Sequence, residues 1–154
     1  MMSAMTGIRV SIARPTAEGR LYPAYDNAIG ILTLASDTPR PCPFGVTIDG
    51  AVILDFDAAG VLAGVELLLP MRRWKGKADV REPGGAAGDV VLPAPRIASS
   101  SYDWAVTVGH DVQSDAARID FAPVGYDRAV RLSEACCALL LGDALTGFWF
   151  SLRR

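Results

Sequence analysis

The sequence is poor in the residue types that most catalytic and metal sites require. Its 154 residues include one histidine, His110, and three cysteines, Cys42 and the adjacent Cys136 and Cys137. Zinc sites need ligands at characteristic spacings, and disulfide frameworks need an even number of cysteines. Catalysis needs a nucleophile, a base and a stabilising group within reach of one another. We therefore expect reduced thiols, no metal and no cofactor, and a binding role rather than catalysis.

Long apolar segments are also missing. The apolar run from Ala135 to Leu141 has seven residues, whereas a membrane helix needs about 18 or more. Residues 1–7 have neither the cationic region nor the apolar core of a secretory signal. The sequence therefore predicts a cytoplasmic protein without membrane contact.

Neither sign of charge dominates, because 15 basic side chains oppose 17 acidic ones. Residues 69–101 nevertheless carry six basic and three acidic groups, whereas residues 7–68 carry four basic and seven acidic groups. Nucleic-acid-binding domains are usually basic, so the overall balance disfavours nucleic acid, although a basic connector with Trp74 could contact phosphate. An acidic surface instead attracts a basic protein partner.

Short β-strand patterns separated by proline and glycine fill most of the chain. In residues 7–14 apolar and polar residues alternate, which is the period of a strand with one buried face. Asp49-Gly50 is a hairpin signal because both residue types tolerate positive φ. In the next turn Asp57 can accept hydrogen bonds from its own backbone, and Gly60 supplies the left-handed position. These signals predict an all-β fold.

The C-terminal third repeats the pattern of the first part of the chain. Residues 46–48 and 51 match residues 130–132 and 135, residues 62–64 match 145–147, residues 32–34 match 119–121, and the alternation of residues 8–12 matches that of residues 104–108. We predict a single domain over 1–154, made of repeat one at 7–69, a basic Pro/Gly-rich connector at 70–101 and repeat two at 102–154. The two meander repeats would form a sandwich or a partly open barrel.

Residues 127–141 favour two different structures. Asp127 can cap a helix, Gly142 can end one, and the residues between include many helix formers. The repeat instead predicts two strands with a turn near Ser133 and Glu134. We favour the strands, because agreement with the tertiary pattern outweighs local propensity, and a short helix near 127–141 is the alternative.

Residues 25–69 begin with Tyr25-Asp26 and contain Gly-Ala-Val-Ile-Leu-Asp-Phe-Asp-Ala-Ala-Gly-Val-Leu-Ala-Gly-Val-Glu-Leu-Leu from Gly50 onward. This stretch resembles a family of small bacterial domains of unknown function with a Tyr-Asp start and a hairpin of the form G-V-I-L-D-x-D-x-x-G-x-L-V-G-I-E-I-L. The Ala-Asp-Ala-Leu-Tyr motif of that family is absent here. The resemblance implies a β-fold and no particular activity.

The candidate site residues lie in the second repeat and the connector. His110 is followed by Asp111 at the end of a predicted strand, and with the acids Asp103 and Asp115 it could form a loop cluster. A His-Asp-Ser arrangement there would suit catalysis, but nothing in the sequence fixes its geometry. We assign Asp103, His110, Asp111 and Asp115, followed by Trp74, as partner-binding residues.

The sequence thus favours a non-enzymatic protein-binding module. Its most concrete form is a bacterial immunity protein or antitoxin that neutralises a basic, nuclease-type toxin. One alternative is a small-ligand-binding protein or enzyme with a pocket between the repeats. Another is a structural homodimer that pairs exposed β edges.

Overall fold

The fold consists of strands that assemble into two large sheets and one small one. The computed structural model describes residues 6–77, 80–121 and 124–153. The strands are β1 (Ile8–Arg9), β2 (Ser11–Ala13), β3 (Tyr22–Asp26), β4 (Ile31–Ala35), β5 (Phe44–Ile48), β6 (Val52–Phe56), β7 (Leu62–Leu67), β8 (Lys75–Gly76), β9 (Asp89–Val91), β10 (Ser99–Tyr102), β11 (Val106–Asp111), β12 (Ala116–Phe121), β13 (Arg128–Ser133), β14 (Cys136–Leu141) and β15 (Ala144–Ser151). One 3-10 turn, Met71–Arg73, precedes β8. The all-β prediction is confirmed.

Five strands have the same order in each of the two large sheets, and the flanking strands differ. One sheet runs β10-β5-β6-β7-β4-β3, and the other runs β13-β14-β15-β12-β11-β8 with β1 also paired to β15. We call β3 to β7 unit one and β11 to β15 unit two. Neither sheet closes into a barrel, so the architecture is the predicted pair of meanders in sandwich form.

The hairpin registers of the two units also agree, including an irregularity. In unit one a β-bulge lies where Asp55 pairs with Gly64 and Phe56 with Leu62. Unit two has the same bulge where Leu139 pairs with Gly147 and Leu140 with Leu145. A bulge inserts one extra residue and adds local twist, so a shared bulge is specific structural evidence of equivalence. It places Gly64 and Gly147 at equivalent positions.

The registers correct two of the sequence matches. Leu34 pairs with Val65 and Ile119 pairs with Phe148, so Leu34 corresponds to Ile119, two residues before the predicted match at Phe121. A shift of two preserves the face on which a strand residue lies, which is why the sequence pattern did not reveal it.

The second correction concerns the first strand of each unit. The strand equivalent to β11 is β3 rather than residues 8–12, which split between β1 on β15 and β2 on β9. The turns that follow β3 and β11 agree in detail. Asp26 Oδ1 accepts the Ala28 N–H at 2.9 Å, and Asp111 Oδ1 accepts the Gln113 N–H at 3.1 Å. Capping of this kind stabilises the turn with a local side-chain acceptor.

The alternative of a helix near 127–141 is wrong. These residues form β13 and β14, which pair in antiparallel fashion with a turn at Glu134. The cross-strand partners are Leu139 with Ala129 and Ala138 with Val130. All residues of β14 except Leu141 are buried, and burial between neighbouring strands outweighs intrinsic helix propensity.

One apolar core lies between the two sheets. Both units contribute to this single cluster. Unit one supplies residues such as Leu34, Leu54 and Phe56, and unit two supplies residues such as Phe121 and Phe148. Phe148 and Phe150 are fully buried. Alternation along each strand directs one face of each sheet into this core, which leaves two outer faces. In the described part of the chain, no helix has the length and apolar character to cross a membrane.

The connector covers the outer face of unit two. Its residues 80–88, here called the strap, pack Val80 against Trp149 and Leu139. At the far edge the Arg131 N–H donates to Ala86 O at 2.9 Å, and the Gly88 N–H donates to Arg131 O at 3.2 Å. The strap therefore hides an apolar patch that would otherwise contact solvent.

Candidate functional site

Three of the five predicted site residues meet in one cluster. His110 Nε2 lies 3.0 Å from Asp115 Oδ1, and the Trp74 ring packs edge-on against His110 at 5.3 Å between centroids. Trp74 also meets Tyr25 at 5.8 Å, and its indole N–H donates to Leu69 O at 2.8 Å. The cluster thus joins both units through one tryptophan.

The register makes this arrangement symmetric. Tyr25 pairs with Leu32, His110 pairs with Ala117, and these positions are equivalent in the two units. Trp74 therefore lies between equivalent residues of the two sheets. Only 8% of its surface is exposed, so the indole is mainly a packing element. A contact between Trp74 and a partner stays a prediction.

The acidic residues of the predicted set are not brought together. Asp111 caps the turn after β11, and Asp115 occupies the left-handed position of that turn with φ 54°. Asp103 is exposed and lies before β11, beside the stacked rings of Tyr102 and Trp104. A strand rises about 3.3 Å per residue, so β11 separates Asp103 from the other acids by roughly 20 Å. The sequence-predicted loop cluster is therefore divided between the two ends of β11.

A polar pocket lies beside the turn that carries Asp111. It has a volume of about 560 Å³ and is lined by Val80, Arg81, Glu82, Asp111, Ser114, Ala116, Trp149, Ser151 and Arg153. Two basic side chains, Arg81 and Arg153, and two acidic ones, Glu82 and Asp111, are among these residues. The buried indole N–H of Trp149 has no acceptor among the described residues, which costs about 1–3 kcal/mol. The strap covers the apolar part of Trp149.

The cysteines do not form a reactive site. All three are free thiols, and Cys136 and Cys137 are buried. Burial raises the pKa of Cys137 to about 11, opposed by the nearby Arg131 and reinforced by Glu82. Burial also raises the pKa of Cys136 well above its ordinary value. A thiol with a raised pKa stays protonated near neutral pH and is a poor nucleophile.

The outer face of unit one differs from that of unit two because no described segment covers it. Asp55 pairs with Gly45 on one side and Gly64 on the other, so two residues without side chains flank its carboxylate. An added Cβ at either glycine would meet only Asp55 and sheet backbone atoms, at 3.8 Å or more. Glu66 lies in the next row, between Thr33 and Ile53. The face is therefore open, nearly flat and acidic.

Asp55 is held in an environment that disfavours its charge. Burial against the sheet raises the pKa of the Asp55 carboxyl. No described cation forms an ion pair with Asp55 or Glu66. An ionised carboxylate that lacks a partner reduces the stability of the fold, and such groups are more common at functional sites than elsewhere. The sequence does not reveal this environment of Asp55, because the flanking glycines Gly45 and Gly64 are distant from it in sequence.

Asp57, two residues later, has the opposite environment. Its Oδ1 accepts the N–H groups of Ala59 and Val61, both at 2.9 Å, and its Oδ2 accepts the Arg40 Nε–H at 2.8 Å. Burial raises the pKa of Asp57, but the Arg40 and backbone hydrogen bonds outweigh burial and bring the pKa below its ordinary value. The turn function predicted for Asp57 is therefore confirmed.

The space between the two sheets is mostly filled by the core. One cavity of about 260 Å³ lies at its margin, where Ile8 of β1 faces Val46 of β5 and the connector residues Leu92 and Arg96. This volume is below the roughly 300–1,000 Å³ of small-molecule sites. The geometry gives the pocket between the repeats less support than the open face of unit one.

No family model matches the chain, and no curated protein matches it. The resemblance of residues 25–69 to the family of bacterial hairpin domains therefore stays a prediction. The described residues include the hairpin itself, formed by β6 and β7.

Proposed function

We propose that the protein is a non-enzymatic protein-binding module that holds a basic protein partner on the outer face of unit one. In its most concrete form the protein is a bacterial immunity protein or antitoxin, and the partner is a nuclease-type toxin. The observation that carries the proposal is the open sheet face with Asp55 and Glu66, two carboxylates without a described cation. A cationic surface would supply the missing partners.

The cost of the Asp55 charge to the stability of the fold supports this function. A solvated surface acid has little effect on stability, whereas Asp55 is partly desolvated between two glycines. A residue kept at a cost to stability is typical of a binding or catalytic surface. A bound cation would reverse the cost, because an opposite charge within about 4–6 Å favours the ionised carboxylate.

The test is a pull-down with tagged protein from the lysate of the native host, at low and high salt, read by mass spectrometry. We expect a stoichiometric basic protein that is lost at high salt, since screening weakens contacts between exposed charges. The double variant Asp55→Asn/Glu66→Gln should lose this protein. The double variant Glu18→Gln/Asp103→Asn removes the same charge from exposed positions elsewhere and should retain it.

Two results would contradict the proposal. If both double variants capture the partner equally, the outer face of unit one is not the contact. If only Glu18→Gln/Asp103→Asn loses the partner, the loop that carries Asp103 is the contact, as the sequence predicted. Self-association in place of a partner would favour the homodimer, and light scattering on the purified protein measures it directly.

A further inference from the structure

Unit two shows how a chain segment can occupy the outer face of this fold. β8 pairs with β11 in parallel, with Lys75 opposite Gly109 and Gly76 opposite His110. The chain then crosses the face, with the Lys77 side chain over Gly109 and Val80 on the buried cluster around Trp149. It ends beside β13, where residues 86–88 bond to Arg131. Residues 75–77 thus cover an edge, and residues 80–88 cover a face.

The equivalent edge and face of unit one are vacant among the described residues. The edge of β3 has no strand beside it, whereas β10 covers the opposite edge through β5. The residues equivalent to Gly109 and His110 are Ala24 and Tyr25, as their pairing to β4 shows. Pro23 lacks an N–H group, but its equivalent, Val108, makes no pair with β8. A Cβ at Gly109 would lie 2.9 Å from Lys77 Cδ, and Ala24 carries this Cβ in unit one. The edge of β3 can therefore accept a segment in the register that β8 uses when the side chain in the place of Lys77 turns away from Ala24.

The side chains beneath the two courses differ most in charge. Where unit two presents Trp149 and Leu139 to Val80, unit one presents Glu66 and Asp55 at the equivalent register positions. An apolar side chain is the match for the first pair, and a cation is the match for the second. A segment with the shape of the strap and a basic residue in place of Val80 fits unit one.

We propose that the partner docks through an extended basic segment that pairs in parallel with β3 and then crosses unit one over Glu66 and Asp55. This is the course that residues 75–77 and 80–88 follow over unit two. The proposal rests on the proposed function and adds the form of the partner, a basic strand-like segment rather than a rigid globular face. Backbone pairing at the edge supplies affinity, and the carboxylates supply the preference for cations.

The probe is a synthetic peptide with the sequence of residues 75–88 and the change Val80→Lys, fluorescently labelled. We expect binding to the intact protein at low salt, measured by anisotropy, with slower amide exchange at Ala24 and Tyr25. Exposed ion pairs are individually weak, so Asp55→Asn/Glu66→Gln should weaken binding about five-fold. Glu18→Gln/Asp127→Asn removes the same charge from exposed positions; it is the matched control and should change the affinity less than two-fold.

A scrambled peptide of the same composition separates the defined course from simple charge attraction. Equal affinity of the scrambled peptide, absence of binding, or protection of β11 instead of β3 would each overturn the inference. The pull-down is independent of these results. A partner that is lost in Asp55→Asn/Glu66→Gln while the peptide fails would leave the proposed function in place and remove only the extended segment.

Discussion

Asp55 and Asp57 lie two residues apart, and the structure predicts that the same chemical change has opposite effects on them. Asp→Asn keeps the size of the side chain and removes its charge. Asp57→Asn should destabilise the protein, because Arg40 and two backbone N–H groups bond to its carboxylate. Asp55→Asn should stabilise it, because the Asp55 charge is desolvated without an ion-pair partner among the described residues.

The loss at Asp57 can be estimated from its contacts. The Arg40 and Asp57 side chains are 14% and 13% exposed, so their ion pair falls between surface pairs at about 0.2–1 kcal/mol and broken buried pairs at about 3–5 kcal/mol. We take the loss of this ion pair as about 2 kcal/mol. The two N–H bonds become bonds to a neutral amide, which are roughly half as strong, and lose about 0.5 kcal/mol each. The total is about 3 kcal/mol.

The gain at Asp55 is smaller and depends on pH. The folded protein raises the pKa of this carboxyl, so the ionised form is penalised above that pKa and the penalty disappears below the unfolded value. Removal of a destabilising surface group commonly adds about 0.5–2 kcal/mol, and we expect about 0.5–1 kcal/mol at pH 7. This gain should vanish on acidification below about pH 3.8.

For Asp57 the contribution to stability depends on pH in the opposite direction. Its pKa is lowered in the fold, so its contribution is present above the unfolded value and is lost as the pH falls through the folded pKa. Asp57→Asn should therefore differ most from the parent protein at neutral pH and least in strong acid.

Urea unfolding and thermal melting, each followed by circular dichroism at several pH values, measure both variants. For a chain of this size about 1 kcal/mol corresponds to a shift of about 2–4 °C in Tm, so Asp57→Asn should melt roughly 6–12 °C below the parent and Asp55→Asn slightly above it. Shifts of the same sign at pH 7 would refute the argument, because they would mean that local hairpin position, and not the partners of each carboxylate, governs stability.

Two further predictions concern packing. Trp74→Ala removes a buried indole that contacts both units and should cost about 3–5 kcal/mol in urea unfolding, whereas a loss below about 1 kcal/mol would mean that the units hold together without it. A Cβ at Gly147 would lie 2.1 Å from Ile119 O, while one at Gly76 would meet nothing within 4 Å. Gly147→Ala should therefore cost at least about 2 kcal/mol and Gly76→Ala less than about 0.5 kcal/mol, with equal losses contradicting the structure.

The turns were the most predictable part of the fold. Asp49 and Gly50 adopt positive φ of 54° and 62°, and Gly60 adopts 86°, as their residue types indicated. Asp57 makes the backbone hydrogen bonds expected of it. These features depend on residues within a few positions of each other, so local sequence contains the necessary information.

The candidate site was much less predictable. Asp103, Asp111 and Asp115 were predicted to form a cluster because they are close to His110 in sequence. In the structure β11 separates Asp103 from the other two acids. The environment of the Asp55 carboxylate depends on Gly45 and Gly64, which become its neighbours only through strand pairing. The sequence identified the basic connector only by its composition, and its packing over Trp149 depends on a contact between distant parts of the chain.

The sequence by itself determined the strand period, the turns and the repetition of the meander, because each follows from the conformational preferences of neighbouring residues and from alternation along a strand. Tertiary structure alone decided which strands are equivalent, which outer face the connector covers, and which carboxylates remain without a partner. Those outcomes depend on pairing and burial between residues far apart in the chain, and a two-residue shift or a choice of face leaves the local pattern unchanged.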